Sequence, residues 1–309
     1  MDQKKTILVI GATGEQGGSV AKALLAENNF AVRILTRNKQ SQKAITLQQA
    51  GAEMVIGDLD NIQSIMQAMK GCYGVFGVTD FWEHFDDEYQ LGKNLIHAVK
   101  QMKIQHFVFS SSPGYNKLSN GKFSVPQCDI KAVLQQYATS LNIPTTFMHV
   151  AFYFENFLNL FPLQRTGNDS YTFGFPQGNT KLAMVSVEDL GEVVAAVFNH
   201  PVEYIGRTVG VVGADNTCND YAATMSKVMQ KNIQYGYIPR EIYSEFGFVG
   251  KEFANMFEVQ RLYISNRQID LIESYGLNPN MQTFENWLRK NKKRFAAMME
   301  VEKEEVVSL

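Results

Sequence analysis

The sequence predicts an α/β protein, with a doubly wound parallel sheet and a smaller C-terminal lobe of mixed α and β structure. Two observations support this. Within the first 28 residues, a short apolar strand runs into a glycine-rich turn and then an amphipathic helix. Strands and helices then alternate regularly to about residue 150. Such alternation is typical of right-handed βαβ units, whose parallel sheet is covered by helices on both faces.

The first turn, Gly11-Ala12-Thr13-Gly14-Glu15-Gln16-Gly17, directly follows the apolar run Ile7–Ile10. Gly11 permits a sharp turn, Gly14 permits close approach of the backbone to a phosphate, and Gly17 permits the helix to pack close to the strand. The spacing is a variant of the dinucleotide-binding fingerprint, which lays a pyrophosphate on a helix N-terminus. Glycines also occur in ordinary turns, but the flanking strand and helix favour a Rossmann domain.

Hydrophobic periodicity gives the remaining elements of this domain. In segment 86–102, for example, Leu91, Leu95, Val99 and Met102 recur at helical spacing. The predicted strands after the first are 31–36, 52–57, 74–79, 106–110 and 145–150. The predicted helices are 15–28, 40–50, 61–70, 86–102 and 129–141.

After residue 150 the pattern loosens. Segment 151–182 is rich in Phe, Gly, Asn and Pro, which predicts a loop-rich stretch lining a cleft. Ser186-Val187-Glu188-Asp189 predicts a capping box at the start of a helix that runs to about Phe198. The next predicted elements are a strand at 208–212 and a helix that ends near residue 231. Three further helices are predicted at 239–246, 250–275 and 283–299.

These patterns divide the chain into regions. Residues 1–152 form the predicted dinucleotide-binding domain. Residues 183–213 are expected to return to this domain. Residues 153–182 and 214–300 form the C-terminal lobe, which we expect to line the cleft and contact partners. The charged tail 301–309 is expected to fray.

Composition excludes several classes of function. The chain has 29 Lys and Arg against 31 Asp and Glu, so no basic surplus supports direct binding of nucleic acid. No apolar run approaches the roughly 20 residues of a membrane span, and nothing marks secretion. The three cysteines and five histidines lack the spacing of metal ligands, so no metal site is expected. Free thiols suit a reducing compartment, and we expect a cytoplasmic protein.

The end of the second predicted strand indicates which dinucleotide is bound. An NAD-specific site usually places a carboxylate there, about 20 residues after the glycines, to bind the ribose 2′-hydroxyl. This chain has Arg37 instead, with Lys39 nearby. A guanidinium group binds a 2′-phosphate through two hydrogen bonds, so the sequence predicts NADP(H). A solvated arginine at a strand end is the alternative.

Two further strand ends supply candidate cofactor contacts. Asp58 and Leu59 follow the third strand, where a carboxylate commonly meets the adenine amino group and the next residue packs on the ring. Asp58 could equally cap the following helix. Thr79, Asp80 and Phe81 lie at the end of the fourth strand, on the sheet edge where ligands bind.

Together these residues resemble the NmrA-like family, an atypical branch of the short-chain dehydrogenase/reductases, over about residues 4–290. The resemblance is closest to the family's NADPH-preferring redox sensors, which regulate other proteins. It implies that Lys131, Asn38, Tyr153 and Asn156 join the cofactor contacts named above. The matching motifs are 11–20, 36–38, 51–53, 78–83, 153–157 and 186–191.

The dehydrogenases use a Tyr-x-x-x-Lys pair, in which the tyrosine donates a proton and the lysine holds the nicotinamide ribose. Lys131 matches the lysine and is the one weak catalytic candidate. Four residues earlier stands Gln127, whose amide cannot donate a proton to an alkoxide. The serines at 110–112 occupy the place of the dehydrogenase serine but equally suit loop capping.

The leading hypothesis is therefore an NADP(H)-occupancy sensor that regulates a partner protein and takes part in transcriptional regulation without binding DNA itself. The alternative is an NADPH-dependent reductase of quinones or small carbonyl compounds, which needs little acid catalysis if the substrate is electrophilic. A small ligand in the cleft and a second copy of the chain are further candidate partners.

Overall fold

The computed structural model describes residues 4–264 and 266–307. Its main feature is a seven-stranded sheet, which confirms the predicted doubly wound α/β fold. Two three-stranded sheets lie outside it. The strands are β1 (Thr6–Val9), β2 (Ala31–Thr36), β3 (Glu53–Ile56), β4 (Cys72–Gly77), β5 (His106–Ser111), β6 (Thr145–Val150), β7 (Phe152–Tyr153), β8 (Gln164–Gly167), β9 (Ser170–Phe175), β10 (Lys181–Val185), β11 (Thr208–Val211), β12 (Ala214–Thr217) and β13 (Asn232–Tyr237).

Helices connect the strands and cover the main sheet. A short 3₁₀ turn, Phe85–Asp87, joins the fourth and fifth helices. The helices are α1 (Glu15–Glu27), α2 (Gln42–Gln49), α3 (Ile62–Met69), α4 (Phe81–His84), α5 (Glu88–Gln101), α6 (Tyr115–Leu118), α7 (Pro126–Ser140), α8 (Asn156–Asn159), α9 (Val187–Asn199), α10 (Pro201–Tyr204), α11 (Cys218–Met229), α12 (Arg240–Tyr243), α13 (Gly247–Tyr263), α14 (Gln268–Leu277), α15 (Phe284–Lys290) and α16 (Lys292–Val307).

The main sheet has the strand order β11-β6-β5-β4-β1-β2-β3, and every neighbouring pair is parallel. Apolar side chains from α1, α2, α9 and the sheet form one core, and those from α3, α5 and α7 form another on the opposite face. The chain leaves β1 towards β2 on one side and returns to β4 on the other. In open α/β sheets, ligands bind outside the carboxyl ends of the strands at such a reversal.

Close backbone contacts hold α1 on the sheet. A Cβ atom on Gly17 would lie 2.3 Å from the carbonyl oxygen of Gly11, so the helix meets the turn backbone to backbone. Helix α9 packs equally closely on α1, because a Cβ atom on Gly191 would lie 2.3 Å from the carbonyl oxygen of Ser19. The Ser19 hydroxyl also donates to the Glu188 carbonyl and accepts from the Gly191 amide.

The segment that follows the domain contains more regular structure than predicted. Residues 151–182 are not mainly loop, because they include β7, α8, the hairpin of β8 and β9, and the start of β10. Strand β10 joins β7 and β12, while β9 also pairs with β13. These pairings are between residues far apart in sequence, and their aromatic side chains form a separate core with α11, α13 and α15.

Three local predictions in the second half were wrong. The predicted helix 250–275 is two helices, α13 and α14, since α14 turns to place Ser274 against β11, where its hydroxyl donates to the Gly210 carbonyl. The predicted helix 283–299 is also two, divided at Asn291. Asp189 does not complete a capping box with Ser186, because its carboxylate accepts from Gln282.

Helix α16 continues to Val307, and the last two residues of the predicted tail lie outside the described residues. Within residues 4–264 and 266–307, none of the helices combines the length and the apolar character that crossing a membrane requires.

We expect the substitution Gly17→Ala to lower the free energy of unfolding by about 1–3 kcal/mol, because the new methyl group forces α1 away from the β1 turn. Urea denaturation followed by circular dichroism measures this. The control is Gly276→Ala in α14, where a Cβ atom meets nothing within 4 Å and alanine should stabilise the helix. Equal stability of both variants would contradict the packing described here.

Candidate functional site

A cleft of about 590 Å³ opens at the carboxyl ends of β1 and β4, where the strand order reverses. It is lined by the glycine turn, the ends of β2 and β3, α4 and the first turn of α7. Ala12, Asn38 and Asn156 lie outside its lining, since Ala12 is packed in the core and Asn156 begins α8. The predicted site residues in the lining are Gly11, Thr13, Gly14, Glu15, Gln16, Gly17, Arg37, Asp58, Leu59, Thr79, Asp80, Phe81, Lys131 and Tyr153.

The N-terminus of α1 faces this cleft. Gly14 is the N-cap residue and has no side chain to bond the first-turn amides. A Cβ atom added at Gly14 would lie 3.3 Å from the Gly11 carbonyl oxygen, so the turn leaves little room for a side chain at this position. An uncapped helix N-terminus combines free N–H donors with the positive end of the helix dipole, which suits a phosphate group. The turn therefore fits a dinucleotide pyrophosphate.

Arg37 projects from the end of β2 across the mouth of the cleft. Its guanidinium donates to the Glu83 carboxylate of α4 at 2.5 Å, and the two side chains are 54% and 47% exposed. This hydrogen bond is the main reason that the pKa of Arg37 is raised, and Asp58 and Asp60 add to it. Arg37 is therefore available to an anion only in competition with Glu83.

Asp58 and Leu59 lie beside Arg37 in the cleft lining. Asp58 does not cap the following helix: the N-cap of α3 is Asn61, whose side chain accepts from the Ser64 amide. The alternative role considered for Asp58 is thus filled by another residue. Asp80 does act as a cap, because its carboxylate accepts from the amides of Trp82 and Glu83 in α4.

The floor of the cleft contains a buried ion pair. Glu88, at the start of α5, is 0% exposed and its carboxylate accepts from the Lys131 ammonium and from the Thr79 hydroxyl. Lys131, which is 15% exposed, also donates to the Thr79 carbonyl oxygen at 2.7 Å. The pair joins the end of β4 to α5 and α7. It leaves Lys131 at the cleft with its charge already balanced.

Gln127 and Lys131 lie one turn apart on α7, which begins at Pro126 rather than at the predicted 129. Gln127 lines the cleft. The candidate proton donors near it are poor acids, because burial raises the pKa of the Tyr153 phenol and raises that of the Cys128 thiol to about 12. Ser111 and Ser112 bond backbone carbonyls, which matches the capping alternative for the serines.

Other polar motifs have structural partners. Glu155 bonds the Ser186 hydroxyl, the Val187 amide and the Trp287 indole, so it ties the segment after β7 to α9 and α15. Burial lowers the pKa of His106 to about 4, which keeps the ring neutral beside the Thr146 hydroxyl. No group of three or more His, Cys, Asp or Glu side chains within the described ranges could hold a metal ion.

Glu83 and Glu88 are the site residues that the sequence analysis missed. Glu83 belongs to a recognised motif, so its position after Asp80 and Phe81 was a usable signal. Glu88 gave none, because a glutamate at the start of an amphipathic helix is typical of a solvated surface. Its burial depends on Lys131, which is 43 residues away in the chain.

Comparison with known proteins places the chain in a family: residues 3–288 match the NmrA-like family, and the chain belongs to it. An NmrA-like family domain-containing protein of Dictyostelium discoideum is 32% identical over 243 residues, covering 76% of this chain and 80% of that protein. The NmrA-like family domain-containing oxidoreductase FrzB of Cladobotryum is 30% identical, covering 74% of this chain and 75% of that protein.

Among solved structures, NmrA, described as a negative transcriptional regulator and crystallised in complex with NADP, is similar to this chain in fold. The two superpose with a TM-score of 0.81 at 22% identity, covering 93% of this chain and 95% of NmrA. NmrA has also been crystallised with NAD. At this identity the likeness supports the fold, the doubly wound domain with its added lobe.

We expect Glu88→Gln to destabilise the protein by on the order of 3 kcal/mol, since it leaves the Lys131 ammonium without a counter-charge in a mostly buried place. Urea denaturation measures the loss, and adding Lys131→Met should restore part of it. As a control, Glu188→Gln removes a carboxylate from the exposed pair with Lys290 and should cost at most about 1 kcal/mol. A Glu88→Gln loss as small as this would show that the buried pair contributes little.

Proposed function

We propose that this protein binds NADP(H) in the cleft and signals its occupancy to a partner protein. The glycine turn and the uncapped N-terminus of α1 would hold the pyrophosphate. Arg37 would bind the 2′-phosphate, with Asp58 and Leu59 at the adenine and Thr79, Lys131 and Tyr153 towards the nicotinamide. Asn38 and Asn156 lie outside the cleft lining, so they would contact the cofactor only if their segments moved towards it. When bound, the cofactor supplies a hydride donor.

The observation that carries the sensor assignment is Gln127, which stands one turn before Lys131 where a dehydrogenase needs its proton donor. Its amide donates no proton at neutral pH. Tyr153, whose phenol belongs to the cleft lining, has a raised pKa, whereas a catalytic tyrosine needs a lowered one. Binding without efficient reduction of carbonyl compounds is the behaviour that these groups support.

A physical route leads from the cofactor site to the C-terminal lobe. A 2′-phosphate on Arg37 would displace Glu83, which lies in the four-residue helix α4. The neighbouring Trp82 ring packs against Phe253 of α13 at 5.5 Å, and Phe85 packs against Phe248 at 6.1 Å. Because α4 contacts both the cofactor end of the cleft and α13, release of Glu83 would alter a surface of the lobe.

A second candidate function is the NADPH-dependent reduction of quinones or other electrophilic carbonyl compounds. Relatives at 30–33% identity are named oxidoreductases, which favours it. Such a reaction transfers a hydride to a substrate that accepts it without strong general acid assistance. The cleft would then hold the substrate between Tyr153 and Gln127.

Arg37→Asp should weaken NADPH binding about 10- to 150-fold and leave NADH binding nearly unchanged, because a charge-assisted hydrogen bond to the 2′-phosphate is lost. The matched variant Glu83→Gln removes the competing carboxylate and should strengthen NADPH binding up to about 5-fold. Isothermal titration calorimetry measures both cofactors. If Arg37→Asp weakened NADPH and NADH equally, the 2′-phosphate assignment would be wrong.

The wild-type protein should oxidise NADPH at close to background rates with simple aldehydes and ketones, because general acid catalysis, which contributes about 10²–10⁴-fold, is missing. Steady-state absorbance at 340 nm with a panel of aldehydes, ketones and quinones tests this. Rapid reduction of a simple ketone that is abolished by Lys131→Ala would overturn the sensor assignment. Reduction confined to quinones would favour the second candidate function.

A further inference from the structure

The side chain of Gln127 is polar and buried. The residue is 8% exposed, and neither its Nε2 nor its Oε1 atom has a hydrogen-bond partner among the described residues. Native structures seldom leave a buried amide unpaired, and an exception calls for a functional explanation. Because Gln127 also lines the cleft, a ligand that fills the cleft would lie against this residue, and rotation of the side chain would bring its unpaired donor and acceptor to that ligand.

The residue lies where the dinucleotide-binding domain meets the C-terminal lobe. Its chain neighbours Val125 and Cys128 pack in the aromatic core of the lobe. Helix α7 packs on β5, on the other side of the sheet reversal from β2 and Arg37. Gln127 therefore occupies the end of the cleft away from the predicted 2′-phosphate site, next to Lys131.

The charges around Gln127 favour an uncharged ligand group. The ammonium of Lys131 is balanced by Glu88. The Tyr153 phenol and the Cys128 thiol stay protonated at neutral pH, because burial raises the pKa of each. A carboxylate or phosphate at this end would gain no unbalanced positive charge from these groups and would lose its hydration.

Gln16 adds a second unpaired acceptor in the same cleft. Its Nε2 atom donates to the Tyr153 hydroxyl at 2.6 Å, while its Oε1 atom is buried without a partner among the described residues. Since the Tyr153 oxygen accepts this bond, its own proton is free to be donated. The residues that line this part of the cleft thus carry donors on Gln127 and Tyr153 and acceptors on Gln127 and Gln16.

We propose that Gln127 binds an uncharged carboxamide-type group, a carbonyl oxygen with an adjacent N–H or O–H donor. The amide of Gln127 would donate from Nε2 to the carbonyl oxygen and accept at Oε1 from the donor. Two sources present this chemistry, the nicotinamide ring of the bound dinucleotide and a second small ligand beside it. The inference rests on the proposed function in that the dinucleotide fills the rest of the cleft.

The first arm of the test measures the dinucleotide by calorimetry, using NADP⁺ and its 3-acetylpyridine analogue, which keeps the carbonyl oxygen but lacks the amide donor. If the ring is the source, wild-type protein should bind NADP⁺ several-fold more tightly than the analogue, and Gln127→Leu should abolish that preference. The control Gln136→Leu, exposed on the same helix, should retain it.

The second arm measures benzamide and the isosteric anion benzoate by ligand-observed NMR titration of the NADP⁺-saturated protein. If a second ligand is the source, benzamide should bind and benzoate should not. Gln127→Leu should then weaken benzamide about 10-fold, the change expected for one to two neutral hydrogen bonds. Gln136→Leu should leave benzamide binding unchanged.

Thermal melting identifies any variant that fails to fold, and Gln127→Leu should be at least as stable as the wild type because it removes an unpaired buried amide. The inference is overturned if Gln127→Leu changes neither the NADP⁺ preference nor benzamide binding, or if wild-type protein shows neither. Failure of the wild-type protein to bind NADP⁺ at all is a separate result that overturns the proposed function.

Discussion

The contact of Gly17 with the Gly11 carbonyl is the constraint on which the site depends. With no side chain between them, α1 lies directly on the turn after β1, and its first amides face the cleft. A second close contact of this kind lies on the outer side of α1, where Gly191 packs on Ser19 and brings α9 against α1. Helix α9 belongs to a segment that returns from the second half of the chain. Close backbone contacts thus fix both the glycine turn and the path of the chain towards the C-terminal lobe.

Charge is balanced differently at the two ends of the cleft. At the outer end, Arg37 and Glu83 form a half-exposed pair, in which solvent lowers the cost of separating the charges. At the inner end, Lys131 and the fully buried Glu88 form a pair that is expensive to separate, and it joins three elements of the domain. The low cost at the outer end is what the proposed exchange of Glu83 for a ligand phosphate at Arg37 requires. The inner lysine is suited to hold a fixed position under the ligand.

The groups at the inner end are compatible with both proposed functions, the sensor and the reductase. This end places a lysine, a phenol and an amide around one space, as a reductase would, yet burial raises the pKa of the Tyr153 phenol and of the Cys128 thiol, which opposes efficient proton donation by these two groups. Under the proposed function, the hydride of a bound cofactor would pass only to an acceptor that is already electrophilic. The two proposed functions therefore differ in the ligand that they require rather than in the fold.

The sequence by itself determined the features that depend on neighbours in the chain. The glycine spacing defined the first turn, and the strands Ala31–Thr36 and Thr145–Val150 were predicted with their observed bounds, because apolar runs and turn residues are local signals. Arg37 was predicted in the same way, from its distance to the glycines, and it lines the cleft. The tertiary structure alone decided the burial of Glu88 and of Gln127 and the pairing of Arg37 with Glu83. It also decided the division of the late helices. The Glu88–Lys131 pair, the Arg37–Glu83 pair and the contact of Ser274 with Gly210 each join residues tens of positions apart, whose approach is set by packing, so no local pattern in the chain contains them.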